Sequence, residues 1–208
     1  MATFKDGAYG TFNGKIGNYV SYTLKGKNVI RRIGKSNKPP TIPQLAVRLK
    51  MKLAANFLQP MLQFINLGFA DAVEGTDKHP HNEATSYLTK KAMIGDYPDI
   101  NIDYSKVLVS MGNLQPAVNP AVSVLTDAIE FTWEVAPGMN SRIKNDRAML
   151  LIYFPEQDEA IYVLSGAQRI AGRDTIQLPP DYLTRDMHTY IAFMADDRKS
   201  VSNSMYAG

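Results

Sequence analysis

Seven short runs of strand-forming residues fill the C-terminal half of the chain and constrain its fold more than any other feature. Clusters of Pro, Gly, Asn and Asp separate them, at the spacing of about eight to twelve residues that is typical of β-sandwiches. The runs lie at residues 121–125, 128–135, 147–154, 159–165, 173–178, 187–195 and 200–206. They predict an all-β sandwich over residues 115–208.

Alternation within these runs predicts which side chains face the core. Successive side chains of a strand point to opposite faces of the sheet. One face of the second run therefore carries Ile129, Phe131, Trp133 and Val135, and one face of the sixth carries Tyr190, Ala192 and Met194.

A second β-rich segment lies near the N-terminus. Its aromatic and β-branched residues favour strands, and Lys25-Gly26-Lys27-Asn28 supplies a turn, because glycine adopts positive φ without steric cost. We predict a hairpin with strands over residues 17–24 and 28–33, with room for a short third strand before it.

The segment between the two β-rich regions predicts helices. Apolar residues recur every three or four positions from a start at Thr41 to Leu67, which indicates an amphipathic helix kinked at Pro60. A shorter helix is predicted over residues 83–94, ended by Gly95, and a strand over 98–109. The stretch MGNLQPAVNP has the residues of a linker. We therefore predict an α+β N-terminal domain at 1–114, in which a small antiparallel sheet packs on the helices, and an immunoglobulin- or fibronectin III-like sandwich at 115–208.

Charge is distributed unevenly along the chain. Residues 1–52 contain eight lysines and three arginines against a single acid, Asp6, a balance of +10. The remaining residues contain 12 basic and 19 acidic side chains, a balance of −7. Such a division predicts that the basic end faces an acidic partner, or that the two halves of the chain satisfy each other.

Aromatic and basic residues alternate within the N-terminal β-rich segment. This mixture is typical of proteins that follow phosphates and stack bases, which predicts nucleic-acid contact through residues 10–52. The alternative is structural: the aromatics face an apolar helix and the cations form a solvated rim. The candidate partner or nucleic-acid contacts are Lys15, Tyr19, Tyr22, Lys25, Lys27, Arg31, Arg32 and Lys35.

Few residues suggest chemistry. The chain contains no cysteine, which excludes disulfides, thiolate metal sites and a cysteine nucleophile. His79 and His81, with acids on either side, are the weak candidates for a metal site, since imidazole and carboxylate bind Zn²⁺. The alternative is that this segment only starts a helix. We identify no catalytic residue, cofactor site or small-molecule substrate in the sequence.

The N-terminal sequence MATFKDGAYG lacks the basic stretch and apolar run of a secretory signal peptide. No stretch approaches the roughly 18 apolar residues of a membrane span. These features predict a cytoplasmic protein without a membrane span, with leaderless export left open.

Several C-terminal motifs resemble fibronectin type III repeats. IEFTWEVAPG is similar to strand B of that family, with Trp133 at the place of its core tryptophan. In the E–F passage, Leu178 and Pro179 precede the strand F aromatic, Tyr190, and serines at 200, 202 and 204 follow in strand G. The long NSRIKNDR approach to strand C departs from the pattern. The resemblance implies a sandwich used for interaction.

Motifs along nearly the full length resemble an uncharacterised family of Bacteroidetes proteins, a domain of unknown function. Among them are GTFNGKIGNYVSYTLKGKNVIRRI, NKPPTIPQLAVRLK and HTYIAFMADDRKSVSNSMY. The resemblance implies no activity. We therefore expect a non-enzymatic binding or assembly protein that acts through a protein partner or self-association, with nucleic-acid binding as the alternative.

Overall fold

The computed structural model describes residues 3–4, 12–35, 38–138 and 141–208. Strands are β1 Thr3–Phe4, β2 Phe12–Ile16, β3 Tyr19–Leu24, β4 Lys27–Arg32, β5 Met93–Ile94, β6 Asn101–Ile102, β7 Ala121–Val124, β8 Ala128–Thr132, β9 Arg147–Phe154, β10 Glu159–Val163, β11 Arg173–Gln177, β12 His188–Met194 and β13 Met205–Tyr206. Helices are α1 Ile42–Leu58, α2 Leu62–Gly68, α3 Ala70–Val73, α4 Pro80–Lys91, α5 Ser141–Lys144 and α6 Pro180–Leu183. The mixed α+β class expected from the sequence is confirmed.

The chain divides into two compact units, Met1–Pro40 and Thr41–Gly208. The first contains one antiparallel sheet in the order β1-β2-β3-β4. Its two longest strands, β3 and β4, match the predicted hairpin to within two residues. β2 is the short third strand that was expected before the hairpin.

Helix boundaries in the second unit follow local sequence. Gln44 accepts a hydrogen bond from the backbone N–H of Thr41, which precedes α1, at 3.1 Å. The helix ends before Pro60, and α2 begins two residues after it. One kinked helix was predicted, but the chain forms two, because proline has no N–H to continue the hydrogen-bond ladder. The next long helix, α4, starts at Pro80 rather than residue 83, since proline suits the first helical turn.

Two antiparallel sheets face each other in the C-terminal part. One has the order β11-β8-β7 and the other β10-β9-β12-β13. All seven predicted runs contain an observed strand. Between the sheets lies a hydrophobic cluster that includes Ile129, Phe131, Trp133, Leu150, Ile152, Phe154, Ile176, Leu178, Ile191 and Phe193.

Helices α1, α2 and α4 cover the opposite face of the β10-β9-β12-β13 sheet. A second cluster joins Phe57 and Leu58 of α1, Phe64 of α2 and Leu88 of α4 to that face. The sheet contributes Met149, Leu151, Tyr153, Tyr190, Ala192 and Met194. The predicted division near Leu114 therefore differs from the structure, which divides the chain after Pro40. The physical reason is that the apolar faces of the helices are buried against β9 and β12.

The predicted linker is part of this unit. Ser110 is fully buried and donates to the carbonyls of Gly68 and Ser202 at 3.1 and 2.7 Å. Leu114 donates its N–H to the carbonyl of Val201 at 3.0 Å. The strand predicted at 98–109 reduces to β6, which pairs with β5, because Tyr104–Lys106 form a 3-10 turn directly after it.

Candidate interaction surface

Two tight turns fix the register of the N-terminal sheet. Ile16 pairs with Tyr19 across Gly17-Asn18, and Leu24 pairs with Lys27 across Lys25-Gly26. Gly17, Lys25 and Gly26 all have positive φ, of 55°, 50° and 75°. Two-residue loops of this kind match the twist of paired strands.

This register separates the side chains of β2, β3 and β4 into two faces. Directly paired residues point to the same side of an antiparallel sheet. The basic face carries Lys15, Val20, Tyr22, Leu24, Lys27, Val29 and Arg31. The opposite face, called the apolar face here, carries Phe12, Ile16, Tyr19 and Ile30, together with Gly14, Ser21, Thr23, Asn28 and a single cation, Arg32.

Both faces expose large hydrophobic side chains. On the apolar face, Ile16, Tyr19 and Ile30 are 42%, 53% and 59% exposed. On the basic face, Leu24 is 55% exposed. Across residues 12–35, the stretch of this unit with described burial, Ser21 alone is buried and no hydrophobic side chain is. Within residues 12–35, this sheet therefore shows no hydrophobic core of the kind that normally supports one.

The structure distributes the predicted contact residues over different places. Lys15, Tyr22, Lys27 and Arg31 share the basic face. Across the strands, Lys15, Val20 and Arg31 form one row, so two exposed cations flank an aliphatic side chain.

Tyr19 and Arg32 lie on the opposite, apolar face, and Lys25 lies in the turn. Lys35 follows β4 and lines a hollow of about 400 Å³ with Arg32. The predicted segment 10–52 is described except at residues 10, 11, 36 and 37.

The histidines at the weak metal candidate have local roles. His79 precedes α4, and its Nδ1 accepts the backbone N–H of His81 at 3.3 Å. Glu83 pairs with Lys78 at 2.8 Å. In the parts of the chain that the structure describes, no group of three or more His, Cys, Asp or Glu is arranged to hold a metal ion. His79 thus acts as a helix cap.

His188, another histidine in a predicted strand, is packed among tyrosines. Its ring stacks on Tyr104 with centroids 3.9 Å apart, and its Nδ1 lies 3.0 Å from the Tyr206 hydroxyl. Burial lowers the pKa of His188, opposed by the charge of Asp186. The lowered pKa favours the neutral imidazole, and the ring stack makes His188 a packing group.

A cleft of about 440 Å³ lies beside the start of β9 and the end of β12. It is lined by Leu114, Ile143, Asn145, Asp146, Ala195, Asp196, Asp197 and Ser200. Asp146 is 4% exposed, and burial raises its pKa, opposed by the charge of Arg169. Asp196 and Asp197 line the same cleft, and their charges add to the effect of burial in raising the pKa of Asp146.

Arg169 explains the buried acid in structural terms. Its Nη2 lies 3.1 Å from Oδ2 of Asp146 and donates to the carbonyl of Gln115 at 2.7 Å. The guanidinium also lies 3.7 Å from the ring centroid of Phe193. Sequence reasoning missed this pair, because residues 23 positions apart carry no local signal of their pairing.

The fold and surface together define a mixed α+β protein that exposes a basic N-terminal sheet. No helix in the described ranges is long and apolar enough to span a bilayer. The model of the DUF6266 family, a family of unknown function, matches residues 11–208, and the chain belongs to this family.

No curated protein matched the chain, and no solved structure matched it. The family match over residues 11–208 confirms the resemblance to a domain of unknown function. The Bacteroidetes origin and the fibronectin III resemblance stay predictions.

Proposed function

We propose that this chain is a non-enzymatic binding or assembly protein that acts through protein–protein contacts made by its N-terminal sheet. The observation that carries the proposal is the sheet without a buried hydrophobic side chain in residues 12–35. A sheet normally buries one face against another layer. Contiguous exposed apolar side chains mark interaction sites.

Burial by a partner would supply the missing stabilisation. Removing apolar surface from water contributes about 25 cal/mol per Å², and large side chains such as Tyr19 gain most from it. A small sheet built from hairpins is marginal on its own unless one of its faces packs against another layer. The geometry thus favours a sheet that is stabilised by what it binds.

The full chain is expected to self-associate or to retain a protein partner, whereas residues 41–208 alone stay monomeric. The shorter chain is the matched control, since it is the second compact unit. Sedimentation velocity between about 1 and 100 µM measures self-association by mass action. Hydrogen exchange of the β3 and β4 amides should show slower exchange in the associated state.

A full chain that is monomeric throughout, retains no protein and exchanges its β3 and β4 amides without protection would contradict the proposal. So would association that is unchanged in residues 41–208. In that case the contact lies on the second unit.

Nucleic-acid binding through residues 10–52 is the second candidate. The observation that favours it is the row of Lys15, Val20 and Arg31, beside Tyr22 on the same face. Two cations that can contact phosphates lie on the same face as the exposed ring of Tyr22, on which a base can stack. Such a surface suits single-stranded nucleic acid.

Binding to a single-stranded 20-mer is expected to weaken steeply with salt if this candidate holds. Three phosphate contacts, from Lys15, Lys27 and Arg31, would give a loss of roughly 20-fold between 50 and 200 mM salt. Fluorescence anisotropy measures it. Arg31→Glu should abolish binding, while Arg32→Glu, its neighbour on the apolar face, serves as the control. Retention that does not depend on salt, or equal losses in both variants, would exclude this role.

We also infer that residues 115–208 form an immunoglobulin- or fibronectin III-like sandwich. Its support is the distribution of seven strands over two sheets, β11-β8-β7 and β10-β9-β12-β13. Trp133 in the shared core is consistent with it. Such sandwiches often act as interaction modules, which is an analogy of fold alone.

A further inference from the structure

We propose that the outer edge of β4 binds an extended, acidic segment of a partner protein as a fifth strand of the N-terminal sheet. The inference rests on the proposed function and names the partner's chemistry and the place where it binds. Three observations carry it: the direction of the backbone groups of β4, the cations beside them, and the lack of acids in this part of the sequence.

The register of β3 and β4 determines which backbone groups of β4 face outward. Ile33 donates its N–H to the carbonyl of Asn18 at 2.7 Å, in line with the pairs of this ladder. Hydrogen-bonded and non-hydrogen-bonded pairs alternate along an antiparallel ladder, so the bonds to β3 fall on Val29 and Arg31. The N–H and C=O groups that point outward belong to Asn28, Ile30 and Arg32.

These outward groups form an open edge. β4 is the last strand of its sheet, and within the described residues no backbone hydrogen bond joins this edge to another segment. A strand that adds here meets three donors and three acceptors that are already aligned. Strand addition at a sheet edge uses such groups for affinity and the neighbouring side chains for specificity.

The cations of β4 indicate the charge of the segment that fits. Lys27 and Arg31 lie on the basic face and Arg32 on the apolar face, so an added strand meets positive charge on both of its sides. None of the three pairs with an acid among the described residues. Residues 7–70 contain ten basic side chains and no acid. An acidic segment therefore complements this edge.

The backbone edge and the charge together favour a polypeptide other than this chain's own β4. A β4–β4 pair would align cations with cations, which charged edge strands prevent. A nucleic acid supplies negative charge, but it lacks the repeating N–H and C=O groups that continue a β-ladder. An acidic protein segment supplies both.

The side chains of β4 also specify a pattern. One side of an added strand lies next to Lys27, Val29 and Arg31, and the other lies next to Asn28, Ile30 and Arg32. Because strand side chains alternate between faces, acids at every second position with aliphatic residues between them suit this edge. Ile30 is 59% exposed, and an aliphatic neighbour would remove part of it from water. Arg32 has a long stem that keeps its charge in water beside such a neighbour.

The full chain and a labelled peptide of sequence EVEIEVE test the inference by fluorescence anisotropy. Peptide KVKIKVK is the control for charge, and EEVIVEE has the same composition without the alternation. We expect EVEIEVE to bind about 10-fold or more tightly than either control. In the complex the amides of Asn28, Ile30 and Arg32 should exchange more slowly, because they donate to the peptide.

Two matched variants at one position separate backbone pairing from side-chain contact. Ile30→Pro removes an outward N–H but no bond to β3, and edge strands tolerate proline at such positions. Ile30→Val keeps the N–H with a side chain of similar size. Ile30→Pro should weaken EVEIEVE binding about 10-fold or more, because it leaves a peptide carbonyl without its donor, whereas Ile30→Val should change it less than about threefold.

Circular dichroism checks that both variants fold. Should Ile30→Pro fail to fold, amide exchange in the wild-type complex decides the question, since it needs no substitution.

Four results would overturn the inference: EVEIEVE does not bind, EEVIVEE binds equally well, the two variants bind equally, or the outward amides exchange unchanged in the complex. A single-stranded 20-mer that binds where EVEIEVE does not would assign this surface to nucleic acid instead. The proposed function fails on a different result, retention of a partner by residues 41–208 as strong as that by the full chain. A full chain that retains a protein through β3 and β4 but not EVEIEVE would refute only the inference about the β4 edge.

Discussion

Phe57→Ala is expected to destabilise the entire second unit, including the β11-β8-β7 sheet. Phe57 lies in α1, is 1% exposed, and contacts the ring of Tyr153 edge-on with centroids 4.7 Å apart. Replacing a buried phenylalanine by alanine costs about 3–5 kcal/mol. That is a large part of the roughly 5–15 kcal/mol by which a domain is stable.

Trp133 provides the measurement. It is the chain's single tryptophan and lies in the hydrophobic cluster between the two sheets, away from α1. β9 and β12 contribute to both clusters. In Phe57→Ala, the denaturant midpoint measured by Trp133 fluorescence should therefore fall by the same amount as the midpoint measured by helical circular dichroism. Val47→Ala is the control in the same helix, since Val47 is 61% exposed.

The contrary result is separate unfolding. If helical circular dichroism is lost in Phe57→Ala while the Trp133 transition keeps its midpoint, the helices and the sandwich are independent bodies. That would restore a boundary near residue 114 in place of the one after Pro40.

The sequence did contain a signal for the shared core. β9 reads RAMLLIYF and is buried from its second residue to its last, and β12 reads HTYIAFM with the same pattern. Strands that cover one face alternate apolar and polar residues, whereas uninterrupted apolar runs belong to strands buried on both faces. Two such strands require a third layer, which α1, α2 and α4 supply.

Other features could not be predicted from local sequence. The Ser110 hydroxyl donates to the carbonyl of Ser202, and the backbone N–H of Val109 donates to the Ser204 hydroxyl, each across more than 90 residues. The sequence shows none of these bonds, and the turn residues of MGNLQPAVNP alone predicted a linker. Hydrogen bonds between distant segments depend on the tertiary fold and leave no periodic pattern.

The candidate surface was predicted in composition but not in arrangement. Tyr19 and Tyr22 were grouped as one aromatic surface, yet an odd spacing in a strand places them on opposite faces. Arg31 and Arg32 are adjacent and are separated for the same reason. The two-residue turns at 17–18 and 25–26 carry enough information to derive this register, because each turn fixes which residues pair.

Arg169→Met is the second change for which we expect a large effect. The buried guanidinium joins Asp146, the carbonyl of Gln115 and the ring of Phe193. Its removal would leave the carboxylate of Asp146 buried without its counterion, and breaking a buried pair in this way costs about 3–5 kcal/mol. Asp146→Asn should cost less, since Arg169 keeps its backbone acceptor.

The double variant, Asp146→Asn with Arg169→Met, is expected to recover most of the stability that Arg169→Met loses. Burial raises the pKa of Asp146 and lowers that of Arg169, so for both groups burial opposes the charge more than pairing favours it. Buried ion pairs replaced by uncharged side chains are often neutral or stabilising. A double-mutant cycle in denaturant gives the coupling directly.

The pH dependence of Arg169→Met separates this account from a simple loss of packing. An acid whose pKa is raised in the folded state binds a proton more readily there than in the unfolded chain. The free energy of unfolding therefore falls as the pH rises from the pKa of the unfolded state to the pKa of the folded state. Without Arg169 the pKa of Asp146 should rise further and widen that window. The variant should therefore lose less stability, relative to wild type, at acidic pH than at neutral pH. An equal loss at both would mean that lost contacts with Phe193 and Gln115, and not an isolated carboxylate, account for the effect.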